Sequence, residues 1–380
     1  MTFVSATAYH TGGRGRIFRL MQRAILLACL GFAAPAAAQD TARVVIVATT
    51  DVHGQATAWD YAADRAFPGG LTRAASVIDS LRRRYPEQVV VADAGDLLQG
   101  NPLTAWAAKA PRDPHPLVEA LRLAGYDVAT LGNHDFDFGV PFLQRALRGA
   151  GLPFVSANLS ALPADTLLLP ASVVLRRGRV RVAVTGITTT GVMRWDPDQL
   201  ANVVRVRPAV TALAPVLRSM RRSADVVVVL SHAGLASAGQ DSLSRLENVA
   251  ADIAALPDAP DLVVLGHTHR ELADTVIGRT HYTQPRPQAQ SLSVTHVTCI
   301  VEPGGRCRVV RMASELVSLA TVPEQPRMTS RFAPVHAAAM QWLAEPIGTA
   351  TAAFSGRTGR AEPVALVNLI HEVQRSRTGA

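Results

Sequence analysis

Five apolar runs in this chain each break off into a knot of aspartate, histidine or asparagine, and that repeated ending restricts what the chain can fold into. The run Val44-Val45-Ile46-Val47-Ala48 leads through Thr49 and Thr50 to Asp51-Val52-His53-Gly54. Val89 to Ala92 gives way to Asp93-Ala94-Gly95-Asp96. Val128-Ala129-Thr130-Leu131 opens into Gly132-Asn133-His134-Asp135-Phe136-Asp137-Phe138-Gly139. Asp225 to Leu230 precedes Ser231-His232-Ala233-Gly234, and Asp261 to Leu265 precedes Gly266-His267-Thr268-His269. Continuous apolar runs of this length read as strands buried on both faces. The polar knots are costly to bury without partners, and metal and phosphate are the partners best suited to them.

Between the runs the periodicity is helical. One helix opens at Gly69-Gly70-Leu71, continues through Ala75, Ile78 and Leu81, and closes on Arg82-Arg83-Arg84 ahead of Pro86. Others are expected at about Pro116 to Ala124, roughly Pro141 to Gly149, Val210 to Arg221 and Asn248 to Leu256. Pro215 suits only the first turn of its helix. Pro153 to Asn158 reads as a short strand, and Arg177-Gly178 as the turn of a hairpin. Two or more antiparallel strands are expected up to about Leu319. Strands alternating with helices make this an α/β chain, and in α/β sheets ligands sit outside the carboxyl ends of the strands. The knots therefore point to one place.

The flanks read differently. Arg14, Arg16, Arg19 and Arg23 precede the short apolar run Ala24 to Ala34, and Ala36-Ala37-Ala38 fits a cleavage site. Residues 1–38 are thus expected to be a signal peptide, directing the protein to the periplasm or outside the cell. The run is too short to span a bilayer stably. Cys29 sits in a lipoprotein-like context, but apolar residues follow it, which disfavours lipid anchoring. A catalytic domain is expected over 43–320, a linker with a helix (about Phe332 to Leu343) over 321–349, and the opening of a second, incomplete domain over 350–380. Cys299 and Cys307 flank the turn Glu302-Pro303-Gly304-Gly305 and are either a hairpin disulfide or two free thiols. The net charge of +8 comes almost wholly from scattered arginines. No clustered basic face is visible, so binding to nucleic-acid polymers is not expected. The excess instead suits attraction of small anions to a cleft.

The knots hold the ligand types that suit zinc, manganese or iron. Asp51 and His53 are two residues apart, so an extended backbone aims both at one ion, and the carboxylate of Asp96 has two oxygens with which to bridge two. Two such ions activate water and clamp a phosphoryl group. Taken in order, Asp51-Val52-His53-Gly54, Gly95-Asp96-Leu97-Leu98-Gln99-Gly100, Gly132-Asn133-His134-Asp135, Ser231-His232 and Gly266-His267-Thr268-His269 resemble the calcineurin-like metallophosphoesterase superfamily. Within it, the chain is similar to the exported 5′-nucleotidase and 2′,3′-cyclic-nucleotide phosphodiesterase family, and Asp60-Tyr61 and His115-Pro116-Leu117 tilt it toward the cyclic-nucleotide branch.

The resemblance implies a four-layer α/β/β/α sandwich and two divalent metal ions. Asp51, His53, Asp96 and His269 would hold one; Asp96, Asn133, His232 and His267 the other, with Asp96 bridging. It implies in-line attack of metal-bound hydroxide on a nucleotide or other small phosphate ester. Asn133 and His134 would meet the substrate, His134 as general acid, oriented by Asp137 with Asp135 the competing candidate. Two other readings stand beside this one: hydrolysis of a different anionic ester, as by a thiosulfohydrolase, and a non-catalytic binding remnant. Phe136 and Phe138 are expected to anchor the loop, and Trp59, Trp106 and Trp195 to be buried. Arg286 is expected in solvent, and Asn158 in a structural role.

Overall fold

Alternate residues of the apolar runs face opposite ways, and this sorts the protein into layers. The computed structural model describes residues 40–109, 113–235, 247–351, 353–359 and 362–379. The expected signal peptide and Cys29 lie outside the described residues. In order come β1 (Thr41–Thr49), α1 (Leu71–Arg84), β2 (Val89–Asp93), α2 (Pro102–Lys109), α3 (Pro116–Ala124), β3 (Val128–Ala129) and α4 (Val140–Leu147). The hairpin β4 (Ser172–Arg177) and β5 (Val180–Thr188) leads to α5 (Val192–Trp195), α6 (Ala209–Ser223), β6 (Val226–His232), α7 (Ala250–Ile253) and β7 (Leu262–Leu265). Then follow β8 (Leu272–Ile277), β9 (Thr280–Gln284), β10 (Ser291–Val301), β11 (Cys307–Ser318), α8 (Pro326–Leu343) and α9 (Ala365–Thr378).

One sheet has the order β11-β10-β1-β2-β3, the other β8-β9-β7-β6-β5-β4. Val45, Val47, Val89 and Val91 turn outward onto helices α1, α3 and α8, through Leu71, Ile78, Leu117, Leu121 and Phe332. Val44, Ile46, Ala48, Val90 and Ala92 turn inward, where they meet Val182, Val184, Val226, Val228, Leu230, Leu262 and Val264 of the second sheet. That sheet's other face, with Val227, Val229 and Val263, is covered by Leu213, Leu217 and Met220 of α6. Helix, sheet, sheet, helix is the expected four-layer sandwich. β1, β2 and β3 are parallel, as are β5, β6, β7 and β9, so each sheet gathers its carboxyl ends on one edge.

Several local expectations change. Pro153 to Asn158 form no strand beyond a single bridge from Phe154 to Ala129. Their hydrogen bonds go to scattered partners, Ser156 N–H to Pro170 O and Ala157 N–H to Gly186 O, so no ladder builds. Helix α6 continues past Pro215, which lies beyond its first turn on an exposed position. Helix α7 is shorter than expected because its last turn tightens to bonds three residues apart before Pro257. Helix α8 starts earlier, at Pro326, because the Gln325 side chain caps it by accepting from Met328 N–H at 3.1 Å. Across the β10–β11 hairpin Cys299 stands opposite Val309 and Cys307 opposite Val301. The two cysteines are diagonal neighbours, a relation in which Cα atoms typically stand roughly 7–8 Å apart, beyond disulfide reach; both are free and buried. Helix α9 buries none of its residues. Among the described residues no helix is long and apolar enough to cross a membrane.

Helix α3 carries a pH-sensitive cap. Its N-cap His115 is buried and accepts from Leu117 N–H through Nδ1 at 3.3 Å. Burial lowers the imidazole pKa from 6.5 to about 4, so the folded state holds it neutral. A histidine lowered on folding contributes its stability fully above its unfolded value and loses it as pH falls through the folded value. About 3 kcal/mol of stability is therefore expected to disappear between pH 6.5 and 4. His115→Asn keeps a capping oxygen and should flatten that part of a urea-midpoint-against-pH profile. An unchanged profile would show that His115 is not the titrating group.

Candidate metal centre

All five knots meet at the gathered carboxyl ends, and the backbone there is strained. Asp51, His53, Asp96, His267 and His269 have φ of 50°, 47°, 58°, 71° and 52°, five of the eleven described non-glycine residues in the left-handed region. Such conformations persist only where surrounding bonds over-determine them, and they cluster at functional sites. Here the bonds are visible. Asp51 N–H and His53 N–H donate to Gly95 O and Asp96 O at 2.9 and 2.8 Å, zipping the first knot to the second. Asp135 accepts from the backbone of Asp96, Leu97, Leu98 and Gly132 at 2.8–3.0 Å, tying the second to the third. His267 N–H donates to Asp51 Oδ1 at 3.0 Å. Gly132 has no substitute, because a Cβ there would lie 2.1 Å from Asp96 Oδ1.

The side chains then converge. Asp96 Oδ2 is 3.0 Å from His232 Nε2 and 3.8 Å from His53 Nε2. Asp51 Oδ1 is 3.4 Å from His269 Nε2 and 3.8 Å from His232 Nε2. His53 Nε2 and His269 Nε2 are 3.0 Å apart, and Asn133 Oδ1 is 3.0 Å from His267 Nδ1. Among the described residues two groups have donor atoms within 4.8 Å of one another, Asp51/His53/His269 and Asp51/Asp96/His232. Asp51 is common to both, which spacing in the sequence did not suggest.

The tautomers show what this cluster fits. His53 Nδ1 lies 2.8 Å from Gln99 O, and His232 Nδ1 lies 2.8 Å from Ala94 O. A carbonyl only accepts, so in each neutral ring the proton sits on Nδ1 and a bare Nε2 turns inward. His232 Nε2 is buried and faces the Asp96 carboxylate at 3.0 Å. Two electron-rich groups facing each other call for a cation between them, and imidazole with carboxylate suits a divalent transition metal. In the protein alone a proton takes that place: burial pushes His232 down, but Asp96 and Asp51 carry it up to about 10. Asp96, despite its burial, is held well below the usual carboxylate range by His232 and His53. Burial, together with the charge of His232, pushes His267 down to about 4.

His134 stands apart from both donor groups. It opens a short 3₁₀ turn, and its Nδ1 lies 2.9 Å from Asp137 Oδ2. That hydrogen bond lifts its pKa to about 9. The geometry therefore pairs His134 with Asp137, and Asp135 clamps backbone instead. Phe136 is fully buried and Phe138 packs against Phe142, so both anchor the loop. Asn158 is locked by Thr188 and Arg207 carbonyls. Arg286 is exposed and reaches Glu271 at 3.5 Å. Trp106 is buried as expected and Trp59 partly so, but Trp195 is 44% exposed and stacks on His267. Sequence reasoning also passed over Asp93. Its buried carboxyl accepts from Thr49 Oγ1–H at 2.7 Å, and burial raises it to about 8. Its place in the Asp-Ala-Gly-Asp knot was the available cue.

Fold and centre together define a class: a double-sheet α/β sandwich whose parallel strands end on a histidine–carboxylate cluster suited to divalent metal. The chain belongs to the calcineurin-like phosphoesterase family, whose sequence profile matches residues 44–271. It is 31% identical over 340 residues to the 2′,3′-cyclic-nucleotide 2′-phosphodiesterase/3′-nucleotidase of Haemophilus influenzae, covering 80% of this chain and 51% of that protein. It is 32% identical over 241 residues to the trifunctional nucleotide phosphoesterase protein YfkN of Bacillus subtilis, covering 59% of this chain and 16% of the relative. The crystal structure of calcineurin-like phosphoesterase YfkN from Bacillus subtilis matches with a TM-score of 0.74 and 25% identity, over 80% of this chain and 100% of that one. The chain thus spans about half of the length of the first of these curated relatives and about a sixth of the second.

Proposed function

We propose that this protein is an exported phosphoesterase that hydrolyses nucleotide phosphate esters, 2′,3′-cyclic nucleotides or 3′- or 5′-mononucleotides, at a two-metal centre. The observation that carries the reading is the pair of inward Nε2 atoms on His53 and His232, which both face Asp96 Oδ2, at 3.8 and 3.0 Å, while their Nδ1 atoms are held by backbone carbonyls. Asp51, His53, Asp96 and His269 would hold one ion, and Asp96, Asn133, His232 and His267 the other. When bound, such ions neutralise phosphate oxygens and lower the pKa of water. The protein's own residues supply the rest. Asp137 holds His134 by Nδ1, which leaves Nε2 to meet a phosphate or leaving-group oxygen and to give it a proton. Asn133 and His134, adjacent on one turn, would touch the substrate together. The nucleotide class is supported by the names of the relatives, and export by the basic, apolar and small-residue order of residues 14–38. The intact His134–Asp137 pair favours an enzyme over a binding remnant.

The test is an assay of the purified chain loaded with manganese or zinc. Bis-p-nitrophenyl phosphate, a 2′,3′-cyclic nucleotide, and 3′- and 5′-mononucleotides are the substrates. Turnover of one or more nucleotides is expected. No turnover of any, with metal measured in the protein, would overturn the reading.

A further inference from the structure

Trp195 is a large apolar side chain left 44% exposed beside a cluster of charged donors. It is nonetheless firmly placed. Its ring lies nearly parallel to His267, at 20° and 5.5 Å between centroids. Its six-membered edge fits against Gly191, where a Cβ would come within 2.4 Å of the ring. The turn that carries it is closed by the Trp195 backbone N–H donating to Gly191 O at 3.2 Å, and the segment before it is tied to the centre by Thr189 N–H donating to His232 O at 3.0 Å. The next residue, Asp196, is pushed up by partial burial and by the charge of Asp137, so this turn also borders the His134–Asp137 pair. Trp195 thus occupies the rim between the metal cluster and the proposed acid.

A rigid, half-open indole next to anion-binding groups fits a ligand with an anionic head and a flat aromatic ring. Stacking on such a face costs little entropy, because the indole is already fixed by its contacts. We propose that Trp195 determines specificity: it is a platform on which the nucleobase of the substrate stacks while the phosphate sits at the cluster. This rests on the phosphoesterase reading above. The competing role is a structural one, in which Trp195 only props His267.

Metal-loaded full-length chain, Trp195→Ala and Trp195→Phe separate the two. For Trp195→Ala, kcat/KM on the preferred mononucleotide should fall about tenfold to a hundredfold, the scale of one lost base stack. The loss should lie mainly in KM, with metal content and turnover of ribose 5-phosphate unchanged, and Trp195→Phe should restore most of it. Equal loss on both substrates, or loss of metal, would assign Trp195 to propping His267 and overturn the proposal. If the unmodified chain turns over no phosphate ester, the phosphoesterase reading fails and binding decides the platform. Adenosine 5′-monophosphate should then quench tryptophan emission in the unmodified chain and not in Trp195→Phe. Identical quenching in both, or none in either, would overturn it.

Discussion

Replacing His134 by alanine is expected to lower kcat by a hundredfold or more, the usual scale for a general acid, while metal content stays that of the unmodified chain. The imidazole is absent from both metal-suited groups, so its loss removes no donor atom from them. Its contribution to holding the centre is made by the backbone: His134 N–H donates to Asp96 Oδ1 at 2.8 Å, and alanine keeps that bond. The side chain is 44% exposed and among the described residues reaches only Asp137 by hydrogen bond, so truncation leaves no cavity of consequence. Rate and metal content should therefore separate cleanly. Steady-state kinetics on a mononucleotide, with metal quantified by elemental analysis on the same preparation, measures both. Loss of metal together with rate would place His134 among the ligands and remove it from the role of acid.

That separation shows which parts of the centre were legible in the sequence. The strand ends were, because β1, β2, β6 and β7 are buried on both faces and read as unbroken apolar runs, and a polar residue after such a run has to lie at the sheet edge. Convergence followed from the rule that ligands gather at carboxyl ends. What did not follow was anything set by left-handed backbone or by a turn of unknown pitch. Asp135 and Asp137 are one and three residues from His134, and only the 3₁₀ turn decides that the latter faces the imidazole. Asp51 lies close to both donor groups because its backbone is left-handed, a conformation that no composition cue announces. Pro215 in α6 misled for a related reason: a proline is judged from sequence by the bond it removes, and the face it presents to water is known only once the helix is packed.

Asp135 offers the largest expected effect on stability. Asp135→Ala should destabilise the fold by about 3–5 kcal/mol, the scale of leaving a buried charged network without one partner. The carboxylate is 1% exposed and accepts from Asp96, Leu97, Leu98 and Gly132 N–H, so its removal strands four buried donors at once. Burial and the nearby Asp96 charge push its pKa up to about 6, against the pull of the backbone amides, so the clamp is held at a cost to the ionised group. Three of those bonds, to Asp96, Leu97 and Leu98, join the left-handed turn at Asp96 to the His134 loop, beside the bond from His134 N–H to Asp96 Oδ1. Loss of the clamp should therefore weaken metal retention as well as lower the urea midpoint, whereas Asp137→Ala should leave the midpoint near that of the unmodified chain and lower the rate. The opposite pattern, an unchanged midpoint with a rate loss for Asp135→Ala, would transfer the orienting role at His134 from Asp137 to Asp135. The two aspartates sit two residues apart on one loop, yet one faces backbone amides and the other an imidazole, and their phenotypes should divide along that line.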